Sequence, residues 1–371
     1  MTRLRVLALT SYPDLAACTR FRVTAYRSLL AEHGVDLTLH SVLSDPQFAG
    51  FYQPQPRLEK AAAIISGTAR QLAAALDGSV DVVFVQREAT LIGPALLEWV
   101  ATRLRRTPLV FDLDDAVWQV PEGLSRHPIA VRLLRWPQKT WGLFRMATEV
   151  VAGSHYLARV AREHNANVTV LPTVVSKTAW APLPGKLNGA FDAANAAPVI
   201  GWIGSHSTAP ALNLALPALR RLRAAGRQFS VRVIGAADSF SLPGLEFETR
   251  PWTREREVRD FQELDIGIAP IPATEFSKGK CAFKQLQYMA VGVPSVSSPE
   301  GGSTDFIVHG ENGLLARTDD EWFRSLEALL DEAALRSRIA RAGRELVERS
   351  HSIEAQAPRL AEILKRAAAA R

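Results

Sequence analysis

The 371-residue sequence has two cysteines, Cys18 and Cys281, far apart along the chain. Two such residues make neither a disulfide framework nor a metal-binding spacing, and they fit a reducing compartment. No window approaches the roughly 18 apolar residues of a spanning helix. The first residues, MTRLRVLALTSYPDLAACTRFR, hold only a short apolar run, Val6–Leu9, before polar and charged residues. That run is too short for a secretory h-region and reads as a first strand. The chain lacks a finger or helix-turn-helix pattern and an aromatic-interleaved basic strand, which argues against nucleic acid as a partner. The full dinucleotide fingerprint is also missing, and no acidic residue stands where it would hold a ribose.

A globular composition is present, with 47% hydrophobic and 22% charged residues and a formal charge of +6. The positive excess suits phosphorylated small molecules or an anionic surface, and equally a solvated Arg-rich exterior. Short β-branched runs alternate with helical stretches. In the first half they are 4–10, 35–42, 80–86, 109–114, 149–154 and 168–173; in the second, 199–205, 230–236, 245–250, 266–271, 293–298 and 313–317. Near-continuous apolar strands imply burial on both faces and hence parallel sheets. Residues 181–198, APLPGKLNGAFDAANAAP, carry no periodicity and read as a linker. The expected fold is α/β, with two doubly wound Rossmann-like domains facing across a cleft. They span 1–180 and 199–350, and a C-terminal helix over 351–371 crosses back to the first domain. Ligands of such sheets bind outside the carboxyl ends of the strands.

Candidate site residues fall at those ends. KGKCAFKQLQYMAVGVPSVSSPEGG (278–302) places Lys278, Lys280 and Lys284 around the start of a helix near Ala282. Cations there oppose the helix dipole unless an anion is present, which points to a bound phosphate. Gly301 and Gly302 open the backbone after the next strand and can present amides. GWIGSHST (201–208) follows the first strand of the second half, with Gly204 at a tight turn and Ser205 and His206 on its rim. In the first half Arg20 and Arg22 open a helix after strand one, again suited to an anion or to a solvated face. FDLDDAVW (111–118) gathers Asp112, Asp114 and Asp115 at a strand end. Such carboxylates bind a metal, accept sugar hydroxyls, act as a base or cap the next segment. Residues 126–146 mix Arg126, Arg132, Arg135, Lys139 and Arg145 with Trp136, Trp141 and Phe144. The mixture fits an anionic membrane interface or a helix packed on its own sheet.

These motifs together resemble a GT-B glycosyltransferase of the large retaining family four, the group 1 type. GWIGSHST, DIGIAPI (265–271), GKCAFKQLQYMAVGVPSVSSPEGG and HGENGLL (309–315) carry the resemblance most strongly. It implies sugar transfer from a nucleotide-sugar donor to a glycan or lipid-linked acceptor, with retention of anomeric configuration and no metal or other cofactor. Donor contacts then fall to Gly204, Ser205, His206, Lys280, Gln287, Gly301 and Gly302. Asp114, Asp115 and Lys284 are the catalytic candidates, and Arg20 and Arg22 contact acceptor or phosphate. A cytoplasmic enzyme, peripheral at the inner membrane face through 126–146, is the expected setting. Family members commonly carry two glutamates eight residues apart around this helix. Here Gly279 and Gln287 occupy those positions, and Glu275 lies four residues earlier. Three alternatives follow from the same residues. One is a metal-dependent GT-A enzyme using Asp112-Leu113-Asp114. The others are a sugar-nucleotide epimerase of the same two-domain shape and a non-catalytic donor-binding partner.

Overall fold

The structure, a computed structural model, describes residues 3–51, 56–119, 138–191 and 197–370. The chain forms two compact units. One comprises Met1–Thr173, Gly279–Cys281 and Ile353–Arg371; the other comprises Val174–Lys278 and Ala282–Ser352.

The first unit is built on a six-stranded parallel sheet of β1 (Leu4–Thr10), β2 (Val35–Ser41), β3 (Val82–Gln86), β4 (Leu109–Leu113), β5 (Glu149–Ala152) and β6 (Val168–Val170). The spatial order is β2-β1-β3-β4-β5-β6. Every residue of β3, β4 and β5 is buried, so the runs VVFVQ, LVFDL and EVVA are apolar on both faces apart from the polar residues that do specific work. Phe111, Phe144 and Leu157 lie in a core formed with the helices His155–Arg162 and Lys139–Met146. The helix Ile353–Ala369 completes this unit. It buries Leu360, Ile363 and Leu364, and Arg366 forks onto Glu149 at 2.5 and 2.9 Å.

The second unit repeats the plan with β7 (Val199–Ile203), β8 (Ser230–Ile234), β9 (Glu248–Arg250), β10 (Ile266–Ala269), β11 (Ser295–Ser297) and β12 (Leu314–Leu315), all parallel, in the order β12-β11-β10-β7-β8-β9. All twelve strands fall within the runs picked out in the sequence, and all but β1 are shorter than their runs by one to three residues. Each sheet has a topological switch point, between β1 and β3 in the first and between β7 and β10 in the second, which is where such folds take ligands. Within 181–198, the described residues pack on the second unit. Lys186 donates to the Leu264 carbonyl at 2.7 Å and pairs with Asp265 at 3.0 Å.

The basic aromatic stretch divides. Its residues 126–137, including Arg126, Arg132, Arg135 and Trp136, lie outside the described residues. The remainder turns inward: Lys139 is buried, pairs with Glu88 at 2.6 Å and donates to the Thr90 carbonyl. Trp141 and Phe144 stack with Trp118 and His164. Lys139 is therefore an internal cation and not part of a membrane-facing row. Among the described residues, no helix is long and apolar enough to cross a membrane.

Candidate functional site

In the second unit the turn after β7 depends on glycine. The Gly204 amide donates to the Ile234 carbonyl at 3.0 Å. A Cβ added to Gly204 would lie 2.4 Å from the Trp202 ring and 3.0 Å from Cε of Lys284, and one added to Gly235 would lie 2.1 Å from the Gly204 carbonyl oxygen. The two glycines thus let the β7 and β8 ends close together, and the stem of Lys284 runs against the Gly204 turn. The Lys284 ammonium stands 5.6 Å from the Trp202 ring centroid, a cation–π arrangement. Ser205 and His206 are exposed beyond Gly204, with the Ser205 hydroxyl 2.9 Å from that of Ser207.

Lys284 is delivered by the helix Phe283–Ala290. Tyr288 anchors that helix at the switch point, its hydroxyl 3.2 Å from the carbonyls of both Gly201 in β7 and Ile268 in β10. The ring packs where a Cβ on Gly267 would otherwise sit. Sequence reasoning missed Tyr288, which looks like one more core aromatic; the signal was the strand glycine Gly267, which leaves space for its ring. Gln285 and Gln287 on the same helix are buried, and Gln285 Nε2 has no hydrogen-bond partner. After β11, Gly301 adopts φ 61° and Gly302 leads into the short helix Ser303–Phe306. The Ser303 hydroxyl braces this turn through the carbonyls of Ser298 and Glu300.

The three lysines of the 278–302 stretch have separate partners. Lys278 pairs with Glu275, Lys280 pairs with Asp115 at 2.9 Å, and Lys284 lies on the Gly204 turn. Ala282, which opens the helix carrying Lys284, turns in the left-handed region at φ 53°. Lys280 belongs with the aspartates of the first unit.

Those aspartates have distinct roles. Asp112 is buried and takes two hydrogen bonds from Arg22, whose third donor reaches the Leu171 carbonyl at 2.7 Å. Burial pushes the Asp112 carboxyl up while Arg22 pulls it back. On Arg22, burial acts downward, but Asp112 outweighs it and holds the guanidinium above its ordinary value. Arg22 is thus an internal cation of the sheet end and does not present itself to a ligand. Arg20 is also buried, with its guanidinium 4.6 Å from the Phe21 ring centroid.

Asp114 takes Arg87 on both oxygens and the Gln86 amide at 2.9 Å. Burial raises its carboxyl, yet Arg87, aided by Arg22 and Lys280, outweighs burial and holds it below the usual carboxylate range. Asp115 sits between Lys280 and, at 3.8 Å, Arg87. Arg87 follows β3 at the switch point with φ 60°, a conformation sparsely adopted by residues other than glycine. Nothing in the sequence singled it out.

Gly279, the position to which the resemblance assigns a glutamate, packs on Ala116. A Cβ there would lie 2.4 Å from the Ala116 Cβ and 2.7 Å from its amide nitrogen. The position has no room for a side chain. Among the described residues, no group of three His, Cys, Asp or Glu side chains is placed to hold a metal ion.

Two six-stranded parallel sheets of this order match the GT-B glycosyltransferase fold of solved structures. Residues 197–332 carry the domain described as Glycosyl transferases group 1. Among solved structures, the chain is similar to HepE from Anabaena in complex with UDP and glucose (15% identity, 98% of this chain and 100% of that one, TM-score 0.66). Sucrose-phosphate synthase from Thermosynechococcus elongatus gives 15% identity, full coverage of both chains and a TM-score of 0.70. A trehalose 6-phosphate synthase from Burkholderia multivorans gives 14% identity, full coverage of both and a TM-score of 0.62. No curated protein matches the chain. The fold removes the GT-A reading of Asp112-Leu113-Asp114: Asp112 and Asp114 are taken up by Arg22 and Arg87.

Proposed function

We propose that the protein transfers a sugar from a nucleotide-sugar donor to a glycan or lipid-linked acceptor, retaining anomeric configuration and using no metal or other cofactor. The observation that carries this reading is Lys284 laid against the Gly204 turn at the switch point of the second unit, inside the segment that matches the group 1 domain. A diphosphate leaving group gains negative charge as its bond to the sugar breaks. A fixed ammonium and backbone amides aimed at that charge lower the barrier without reorganising. Lys284, the Gly204–Ser205 turn and the turn at Gly301 and Gly302 supply those groups in our reading. Ser205 and His206 line the rim, and Gln287 offers an uncharged amide to the donor.

In the first unit Asp114 is held ionised by Arg87, and Asp115 is flanked by Lys280. We assign these carboxylates to accepting hydrogen bonds from acceptor hydroxyls or steadying positive charge on the sugar. The setting is the cytoplasm, at the inner membrane face where the acceptor is lipid-linked. One observation favours a second reading, a donor-binding protein without transfer. Gly279 has no space for the usual glutamate, and Gln287 is neutral where its partner glutamate stands.

A thermal-shift and hydrolysis screen against nucleotide-sugars, with EDTA present and UDP-glucose first, tests the proposal. Stabilisation with slow release of nucleoside diphosphate supports transfer without metal. Stabilisation without release, even with acceptor extracts added, supports the donor-binding protein. No stabilisation by any donor defeats both.

A further inference from the structure

Lys139 and Glu98 are charged side chains of the first unit almost shut off from water, 4% and 0% exposed. Apolar residues of similar volume often hold a fold at least as well, so stability alone does not account for them. Both end on the same four residues, Arg87–Thr90, just past β3 at the switch point of the sheet. Lys139 donates to the Thr90 carbonyl and pairs with Glu88, each at 2.6 Å. One oxygen of Glu98 accepts the Ala89 amide at 3.1 Å. From just past β1, the Ser11 hydroxyl donates to the Glu88 carbonyl at 2.8 Å. The turn is thus tethered by side chains from three separate parts of the unit.

The turn they hold is strained. Arg87 adopts φ 60°, a left-handed conformation that a residue other than glycine keeps only where its surroundings over-determine it. A glycine takes such a bend without strain, which leaves the side chain as the reason for an arginine here. That side chain forks onto both oxygens of Asp114 and lies 3.8 Å from Asp115. We propose that Lys139 and Glu98 are positioning residues for Asp114: they lock the Arg87–Thr90 turn, and the locked turn fixes the Arg87 guanidinium on the Asp114 carboxylate. This role rests on the reading of Asp114 as a carboxylate that serves the sugar or its acceptor. It also gives two buried charges a purpose that neither a membrane surface nor the packing of the core supplies.

The test follows UDP-glucose hydrolysis by the full chain across pH, with EDTA present, beside thermal melting of each variant. Lys139→Met and Glu98→Leu each free one side of the turn and should lower kcat by about ten- to a hundredfold, with KM for UDP-glucose kept within roughly twofold. Glu98→Gln keeps an oxygen for the Ala89 amide and should stay within about threefold of wild type. Around Asp114 stand Arg87, Arg22 and Lys280, the acids Asp112 and Asp115, and the thiols of Cys18 and Cys281. Arg87 is the strongest influence holding the Asp114 carboxyl down against burial, so a slackened Arg87 lets it rise. The acid limb of the kcat profile should therefore move to higher pH in Lys139→Met and Glu98→Leu, a change that a merely structural tether does not cause. A kcat that falls only with the folded fraction, with the limb unmoved, overturns the proposal, and so does wild-type turnover in both variants. Should Lys139→Met not fold, Glu98→Gln against Glu98→Leu decides. A wild type that releases no UDP removes the reading of Asp114 and the positioning roles with it; release by wild type with an unmoved limb removes the positioning roles alone.

Discussion

Gly279 rests on Ala116 with no space between them for even a methyl group, the added carbon meeting Ala116 Cβ at 2.4 Å and its backbone nitrogen at 2.7 Å. The contact is with main chain, which cannot rotate aside as a side chain does. Gly279→Ala and Gly279→Glu are therefore expected to destabilise the protein, the glutamate by about 2 kcal/mol or more. Introducing the glutamate that the family resemblance would place there should not raise sugar transfer. Urea unfolding beside a donor-turnover assay checks both, and a Gly279→Glu protein of undiminished stability would refute the contact.

The Arg22–Asp112 pair predicts a different pattern. Removing one partner strands a buried charge, so Arg22→Ala or Asp112→Ala should each lose about 3–5 kcal/mol. Replacing both, as Arg22→Met with Asp112→Leu, should be milder than either single change. Donor affinity of the folded fraction should stay constant throughout. A clear loss of donor affinity in Arg22→Ala without loss of stability would return Arg22 to ligand binding.

Lys284→Ala should slow donor turnover by about a hundredfold if the ammonium meets charge developing on the leaving diphosphate. Its melting temperature should change little, since the side chain is only half-buried. Gly204→Ala displaces the Trp202 ring and the Lys284 stem together and should weaken donor binding as well as lower stability. Unaltered kinetics in Lys284→Ala would remove it from the site.

His351 is half-buried against the Phe306 ring, and loss of water around it pushes its imidazole from 6.5 down to about 4. Between those values the unfolded chain takes up a proton that the folded chain refuses. Stability should therefore be full above about pH 6.5 and fall as pH drops toward 4, by about 2–4 kcal/mol from this group. Denaturant unfolding at several pH values checks the slope, and His351→Phe should flatten it.

The strands were legible because parallel strands buried on both faces write themselves as unbroken apolar runs, as VVFVQ and LVFDL do. Gly204 was legible for a related reason, since a glycine at a strand end announces a turn. Partnerships across long stretches of chain were not. The sequence reading puts Arg20 and Arg22 at the start of a helix, whereas they end the helix Ala17–Arg22, and it puts Lys139 in a basic run; Arg22 and Lys139 both find carboxylates inside the unit. Arg87 was invisible because its left-handed backbone and its grip on Asp114 leave no local pattern. The grouping of Lys280 with Asp115 joins residues far apart in the chain, and the left-handed turn at Ala282 falls on a residue with no turn signature of its own.

The first unit is assembled from three separated pieces of chain, the last of them Ile353–Arg371. During synthesis this unit therefore waits. The pocket that receives Leu360, Ile363 and Leu364 stays uncovered, and Glu149 lacks Arg366, until the whole intervening segment has been translated. The second unit has all its residues once Ser352 has emerged. The unit begun first is finished last, and a ribosome halted near residue 352 would release a chain with its later half complete and its earlier half open to proteases and chaperones.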